Sequence, residues 1–352
     1  MNHRTALINA VDRATAQQCR AMLDAKTKPR NSLGQLEELA CVLAGIRRAA
    51  IPNLGKSAIV VMAADHGVAV NGVSAYPPEV TAQMVSNFAR GGAAINALAR
   101  HAGAELIVVD MGVANPVAIG TGVRECRVGK GTRDLSQGPA MSGAQLEQAI
   151  AVGFLLAVEL AEAGVGVVGL GEMGIGNTTS AAALAAAYTG ASVESVVGPG
   201  TGIDDAARVR KRAIVERALA VNATAFGEPH HILAALGGFE IAGLVGVILG
   251  AAHRGLVVLC DGFITGAAAL AAVAIRPEAL AYLVAAHRSH EPGHRIVLQT
   301  LKLEPLLDLS LRLGEGTGAA LALPLLEASV RIVAEMATFE SAGVSDTGRG
   351  VA

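Results

Sequence analysis

The chain has 352 residues, enough for one large domain or two smaller ones. Hydrophobic residues make up 52% of it, yet aromatics only 3% and there is no tryptophan, so alanine, glycine, valine and leucine must fill the core, as suits closely packed helix–sheet layers. Lys plus Arg number 28 against 30 Asp plus Glu, a net charge of −2 that gives no electrostatic reason to expect nucleic acid or an anionic membrane as partner.

Cys19, Cys41, Cys126 and Cys260 are scattered without CxxC spacing, which reads as free thiols in a reducing compartment. The start, Met1 to Thr5, leads into a charged helix pattern and shows no apolar signal region. The longest apolar run, Ile241 to Ala252, is too short to span a bilayer. These features predict a soluble cytoplasmic protein.

In chain order, residues 6–26 and 33–48 read as helices, the second amphipathic through Leu33, Leu36, Leu39, Ala40 and Leu43. Between them Lys28, Arg30 and Ser32 form a basic loop, either solvated or turned to an anion, with Ser32 a candidate N-cap. Residues 57–64 read as a buried strand ending at Asp65-His66, where open α/β sheets place ligands. Adjacent residues of a strand point to opposite faces, so that pair reads as structural or substrate-shaping rather than as a metal site. A loop at 71–78 precedes a long helix from Glu79 to Arg100, weakened in its middle by Gly91-Gly92. A second strand covers 104–110. Residues 116–142 lack a clear period and carry Arg124, Arg127, Lys130 and Arg133, so they read as an excursion from the core. A helix from Ser142 to Ala163 follows.

Residues 164–170 form another apolar strand and run into Gly171-Glu172-Met173-Gly174-Ile175-Gly176-Asn177-Thr178-Thr179-Ser180, ahead of an alanine-rich helix. A glycine turn between strand and helix offers backbone N–H groups to an anion. Its spacing is neither Walker A nor the dinucleotide fingerprint, so the turn alone indicates an anion site and no more. A second such turn, with Gly198, Gly200 and Gly202, precedes a helix at 206–221. Asp204 and Asp205 suit that helix's positive end, and Lys211 reads as solvent-facing on the residues alone. A helix rich in small residues spans Gly237 to Arg254, ready to pack against another helix or a second subunit. Strands at 256–260 and 280–286 end at Asp261 and at a loop with His287, His290 and His294. Pro292-Gly293 breaks the helix that would align His290 with His294, so no zinc site is expected. Lastly, Glu315 lies between Gly314 and Gly316, before a helix at about 319–340. The apolar flanks of that loop dock it on the protein body, and a partly desolvated carboxylate has the raised pKa that suits a general base. Strands alternating with helices predict an α/β protein with a mostly parallel sheet covered on both faces.

Taken together, KPRNSLGQLE at 28–37, AADHGV at 63–68, GVSAYPPEVTAQMV at 72–85, GEMGIGNTT at 171–179, GPGTGID at 198–204, DGFI at 261–264, EPGH at 291–294 and GEGTGA at 314–319 resemble the nicotinate-nucleotide–dimethylbenzimidazole phosphoribosyltransferase family. The likeness runs nearly end to end; Asn31 and Gln35 depart from it, outside the catalytic motifs. It implies transfer of the 5-phosphoribosyl group from nicotinate mononucleotide to 5,6-dimethylbenzimidazole, with inversion at the anomeric carbon. By position it implies Glu315 as general base, with Glu172 and Lys211 near the reacting centre. It further implies that Gly174, Ile175, Gly176, Asn177, Thr178, Gly200, Thr201 and Gly202 bind the nucleotide and that Ser74, Tyr76, Gln83, Met84 and Leu313 line the acceptor-base pocket. The implied fold is a Rossmann-like α/β domain over 51–319 with a small, mainly helical domain from 1–50 and 320–352, assembled as a homodimer. Partners are then small molecules, with no nucleic acid and no membrane. The chemistry agrees: the pyridinium leaves as a neutral ring and needs no general acid, unlike a glycoside's alkoxide. No pyrophosphate departs, so neither metal nor cofactor is expected. Two other readings remain at this point, the same reaction on another benzimidazole, a purine or a phenol, and a catalytically silent nucleotide-binding protein.

Overall fold

In the computed structural model, which describes residues 5–115, 122–200 and 202–345, two helices, α1 (Arg13–Asp24) and α2 (Gln35–Arg47), precede the first strand, β1 (Lys56–Ala64). Helices α3 (Val80–Ala89) and α4 (Ala94–His101) lead to β2 (Glu105–Gly112) and the short β3 (Val123–Glu125), after which α5 (Gly143–Glu162) returns the chain to β4 (Val165–Met173). Five helices then intervene: α6 (Asn177–Thr189), α7 (Val193–Val196), α8 (Asp205–Val221), α9 (Pro229–Leu236) and α10 (Phe239–Arg254). The last strands are β5 (Val257–Cys260) and β6 (Leu283–Ala285), separated by α11 (Phe263–Ile275) and followed by α12 (Pro292–Leu301) and α13 (Thr317–Glu335).

The strands form one sheet in the order β3-β2-β1-β4-β5-β6, every neighbouring pair parallel. The order reverses between β1 and β4, and parallel crossovers leaving such a reversal in opposite directions cover a sheet with helices on both faces. Strands covered on both sides need apolar residues at successive positions, which is why β1, β4 and β5 read as runs rather than alternations. Register pairs Met62 with Glu172 and Ala63 with Asp110, so the polar residues of three strands emerge along one C-terminal edge.

The small residues of α10 serve α5, within the same chain. A Cβ on Gly153 would overlap the Gly243 carbonyl oxygen, and one on Gly246 would overlap that of Ile150. Among the described residues two helices, α5 and α13, are long and apolar enough to cross a bilayer by length and composition, and 44% and 50% of those stretches are buried inside the protein. Helices α1 and α2 meet α13 and enclose a second, smaller cluster of buried side chains, Cys19, Leu23, Ala40, Cys41, Ala44 and Val333. There Lys26 Nζ donates to the Met336 carbonyl at 2.6 Å. The four cysteines are free thiols.

Several local expectations change. The first helix begins only at Arg13, where Asp12 accepts the Ala14 and Thr15 N–H groups at 3.0 and 3.1 Å; Ala6 and Ile8 run ahead of it as buried chain. Gly34, not Ser32, stands at the N-cap of α2. Lys28 is buried and paired with Glu37 at 2.8 Å, so it reaches no anion, and Arg30 is exposed. The predicted helix over 79–100 breaks after Arg90, as a double glycine allows, into α3 and α4. The excursion after β2 contains β3, too short to show a period. Asp204 caps α8, accepting the Ala207 N–H at 2.7 Å, and Asp205 pairs with Arg208 at 2.9 Å, so capping and a surface ion pair account for both.

Candidate active site

At the β1/β4 switch point, β4 delivers Glu172 and Met173 to the sheet edge and the chain turns through Gly174-Ile175-Gly176 into α6. Gly176 carries φ +97°, a conformation that places glycine at the N-cap of α6. Beside the turn lies a cavity lined by Glu172, Gly174, Ile175, Asn177, Thr178, Gly200 and Leu313 among the residues expected in the site. Part of the backbone offered to an anion is already engaged. The Ile175 N–H donates to Thr81 Oγ1 at 3.1 Å, and the Gly200 N–H donates to Glu291 Oε1 at 2.8 Å. Gly202 is exposed, and Thr201 lies outside the described residues.

Lys211 departs from its solvent-facing reading. It is fully buried and donates from Nζ to Thr178 Oγ1 at 3.1 Å, directly behind the cavity wall. Burial lowers its pKa to about 8, against the opposing charge of Glu291. Glu172 accepts a short hydrogen bond from Asn177 Nδ2. Its burial pushes the pKa up to about 8, Asn177 opposing and the charges of Asp261, Glu240 and Glu315 adding to the rise. Burial thus favours the protonated form of Glu172 before substrate binds.

Glu315 sits at φ +62° between Gly314 at +83° and Gly316 at +84°, three successive left-handed residues. The left-handed region is costly for a side-chain-bearing residue and persists only where surrounding contacts impose it. Those contacts are visible. Gly314 lies so close to Glu172 that a Cβ there would overlap its Oε1, while Asp261, at the end of β5, accepts the N–H groups of Gly316, Gly318 and Ala319 at 3.2, 2.6 and 3.1 Å. The Glu315 carboxylate does not line the cavity. It accepts the Ile95 N–H at the start of α4, and its Oε2 has no partner among the described residues. Burial raises its pKa to about 7, the Ile95 N–H opposing and Asp261 adding.

Ser74, Tyr76, Gln83 and Met84 are not among the cavity's lining. They lie on the loop before α3 and on its first turns, Tyr76 and Gln83 exposed, Ser74 and Met84 half-buried. Among the described residues no group of three His, Cys, Asp or Glu side chains is placed to hold a metal ion. His294 instead accepts the Ser289 N–H through Nδ1 at 3.0 Å, and burial drives its pKa down to about 3.

Four buried polar residues about the site receive no role from the sequence: Glu291, Asp261, His287 and Glu240. His66 Nε2 and Glu240 Oε1 meet at 2.6 Å, both side chains buried, beneath Gly174. A lone acid at the head of the apolar run of α10 was the available signal for Glu240, since unpaired acids are rarely buried. For Asp261 it was an acid at a strand's end.

A doubly wound sheet with two glycine turns and buried ionisable groups at its switch point defines a nucleotide-handling enzyme of the Rossmann-like α/β class. A family model described as phosphoribosyltransferase matches residues 8–344. The chain belongs to that family. It is 53% identical over 339 residues to the nicotinate-nucleotide–dimethylbenzimidazole phosphoribosyltransferase of Chloroflexus aggregans, covering 96% of each chain. Against the enzyme of the same name from a Roseiflexus species it is 51% identical, covering 98% of each. Its structure is similar to the crystal structure of CobT from Thermus thermophilus, with a TM-score of 0.91 and 47% identity over 96% of this chain and 100% of that one.

Proposed function

We propose that this chain transfers the 5-phosphoribosyl group of nicotinate mononucleotide to 5,6-dimethylbenzimidazole, giving α-ribazole 5′-phosphate and nicotinate. The observation that carries the reading is Glu315: a buried carboxylate, held in a costly conformation, with one unpartnered oxygen and a pKa raised to about 7. A group so poised is what removing an azole N–H proton at neutral pH requires.

The rest follows from charge. As an azole nitrogen attacks C1′, Glu315 takes the proton of the ring's other nitrogen, and nicotinate leaves with the electrons of the broken C–N bond. Lys211 and the second glycine turn hold the 5′-phosphate; the Glu172 loop orients the ribose. Arrival of the cationic pyridinium favours the charged form of Glu172, which then stands as a carboxylate beside the positive charge growing on the ribosyl ring. The azole binds on the side of Ser74, Tyr76, Gln83 and Met84, where the Glu315 carboxylate reaches towards α4. Much of the rate comes from positioning. The working form is a cytoplasmic homodimer, as the family likeness implies.

The test is turnover of nicotinate mononucleotide with a panel of acceptors, following nicotinate release and product mass by chromatography. The expected outcome is α-ribazole 5′-phosphate with dimethylbenzimidazole. Transfer to phenols or purines alone would overturn the acceptor, and no transfer to any acceptor would leave a silent nucleotide-binding protein.

A further inference from the structure

Glu291 is a buried carboxylate that the reaction above does not use. It lies just before α12, 5% exposed, and lines the same cavity as Thr178 and Gly200. Its Oε1 accepts the Gly200 N–H at 2.8 Å. Its Oε2 lies hard against Gly198, where a Cβ would overlap it, and has no hydrogen-bond partner among the described residues. The turn from Gly198 to Gly200 thus gives a carboxylate oxygen the kind of backbone N–H that such turns give a phosphate oxygen. On the far side of Gly200, a Cβ would come within 3.1 Å of both Lys211 Nζ and Thr178 Oγ1. The Glu291 charge also opposes the lowering of the Lys211 pKa, so the two groups interact.

We propose that Glu291 stands in for the nucleotide's phosphate before substrate arrives, and that phosphate binds by displacing its carboxylate from the Gly200 N–H. The inference rests on the reading that the 5′-phosphate binds at this turn. A dianion cannot share a buried N–H donor and one ammonium with a carboxylate without strong repulsion, so one acceptor replaces the other. What the stand-in contributes is twofold. It sets a negative charge near buried Lys211 when no nucleotide is present, and it makes the site reject ligands whose anionic group is too weak to compete.

The test measures inorganic phosphate and nicotinate mononucleotide binding calorimetrically in the wild type, Glu291→Gln and Lys211→Met. Removing the competing charge is expected to tighten inorganic phosphate about tenfold in Glu291→Gln, the scale of a typical coupling between two ligands. Lys211→Met is expected to lose most phosphate affinity. If Lys211→Met binds phosphate as the wild type does, the anion lies elsewhere and both readings fall. If Lys211→Met loses affinity while Glu291→Gln binds phosphate no more tightly, the displacement idea alone falls. Weaker mononucleotide binding with unchanged phosphate binding in Glu291→Gln also overturns it, since Glu291 would then be a sugar ligand. A second reading needs no variant: wild-type crystals soaked in phosphate should show the Gly200 N–H on a phosphate oxygen and the Glu291 carboxylate withdrawn. Phosphate bound beside an unmoved Glu291 contradicts the proposal.

Discussion

Replacing Glu172 with Gln removes a buried ionisable group while keeping an oxygen for the Asn177 Nδ2 donor. Burial raises the folded-state pKa from 4.5 to about 8. A raised pKa means the folded protein holds a proton that the unfolded chain has already released. Wild-type stability therefore falls as pH rises from the unfolded value through the folded one, and the full cost is present above it. At about 1.36 kcal/mol per pH unit, a rise of this size corresponds to a few kcal/mol, up to about 5. Neighbouring Asp261, Glu240 and Glu315 share the effect, so the lower part of that range is expected. The variant has no charge to bury. Its melting temperature should match the wild type's near about pH 5 and exceed it by several degrees near about pH 9, about 2 °C per kcal/mol for a chain of this size. Melting curves by circular dichroism in nucleotide-free buffer measure this directly, alongside loss of turnover. A difference that stays constant across the range, or that shrinks with rising pH, would refute the reasoning about a buried, proton-holding Glu172.

Glu315→Gln should lower kcat by about two to four powers of ten, the usual scale for losing a general base, with the nucleotide dissociation constant little changed; near-native turnover removes Glu315 from its role. The pH dependence of kcat/KM should rise through about 7 as Glu315 loses its proton and fall above about 8 as Lys211 loses its ammonium charge. Lys211→Arg keeps the cation and should move only the falling limb, to higher pH; an unmoved limb would remove Lys211 as its source. Gly153→Val should prevent α5 from seating on α10, costing several kcal/mol or the fold itself, as read by soluble yield and urea unfolding; a native-like variant would mean the two helices separate easily.

The sheet was largely legible because each central strand is buried on both faces and must be an apolar run. What the runs could not supply was strand order: nothing local in residues 57–64 or 164–170 places β1 beside β4. Short elements escaped for the same reason, since three residues of β3 show no period. Both glycine turns were visible, and so was Glu315 between its glycines. The reason Gly314 must be glycine was not, because it lies in the side chain of Glu172, more than a hundred residues away. Lys211 shows the limit most clearly. Its helix is polar overall, with Arg208, Arg210 and Arg212 around it, and only the tertiary fold turns this one cation inward to Thr178. Residues 28–32 were open between a solvated and an anion-facing loop, and Lys28 takes neither course, because it pairs with Glu37 of the helix that follows.

The most direct measurement is a crystal structure with nicotinate mononucleotide and an unreactive benzimidazole bound together. An azole nitrogen within about 3 Å of a Glu315 carboxylate oxygen, its other nitrogen aimed at C1′, is the predicted result. An azole seated elsewhere, with the Glu315 carboxylate still turned to the Ile95 N–H and away from both ligands, would contradict it.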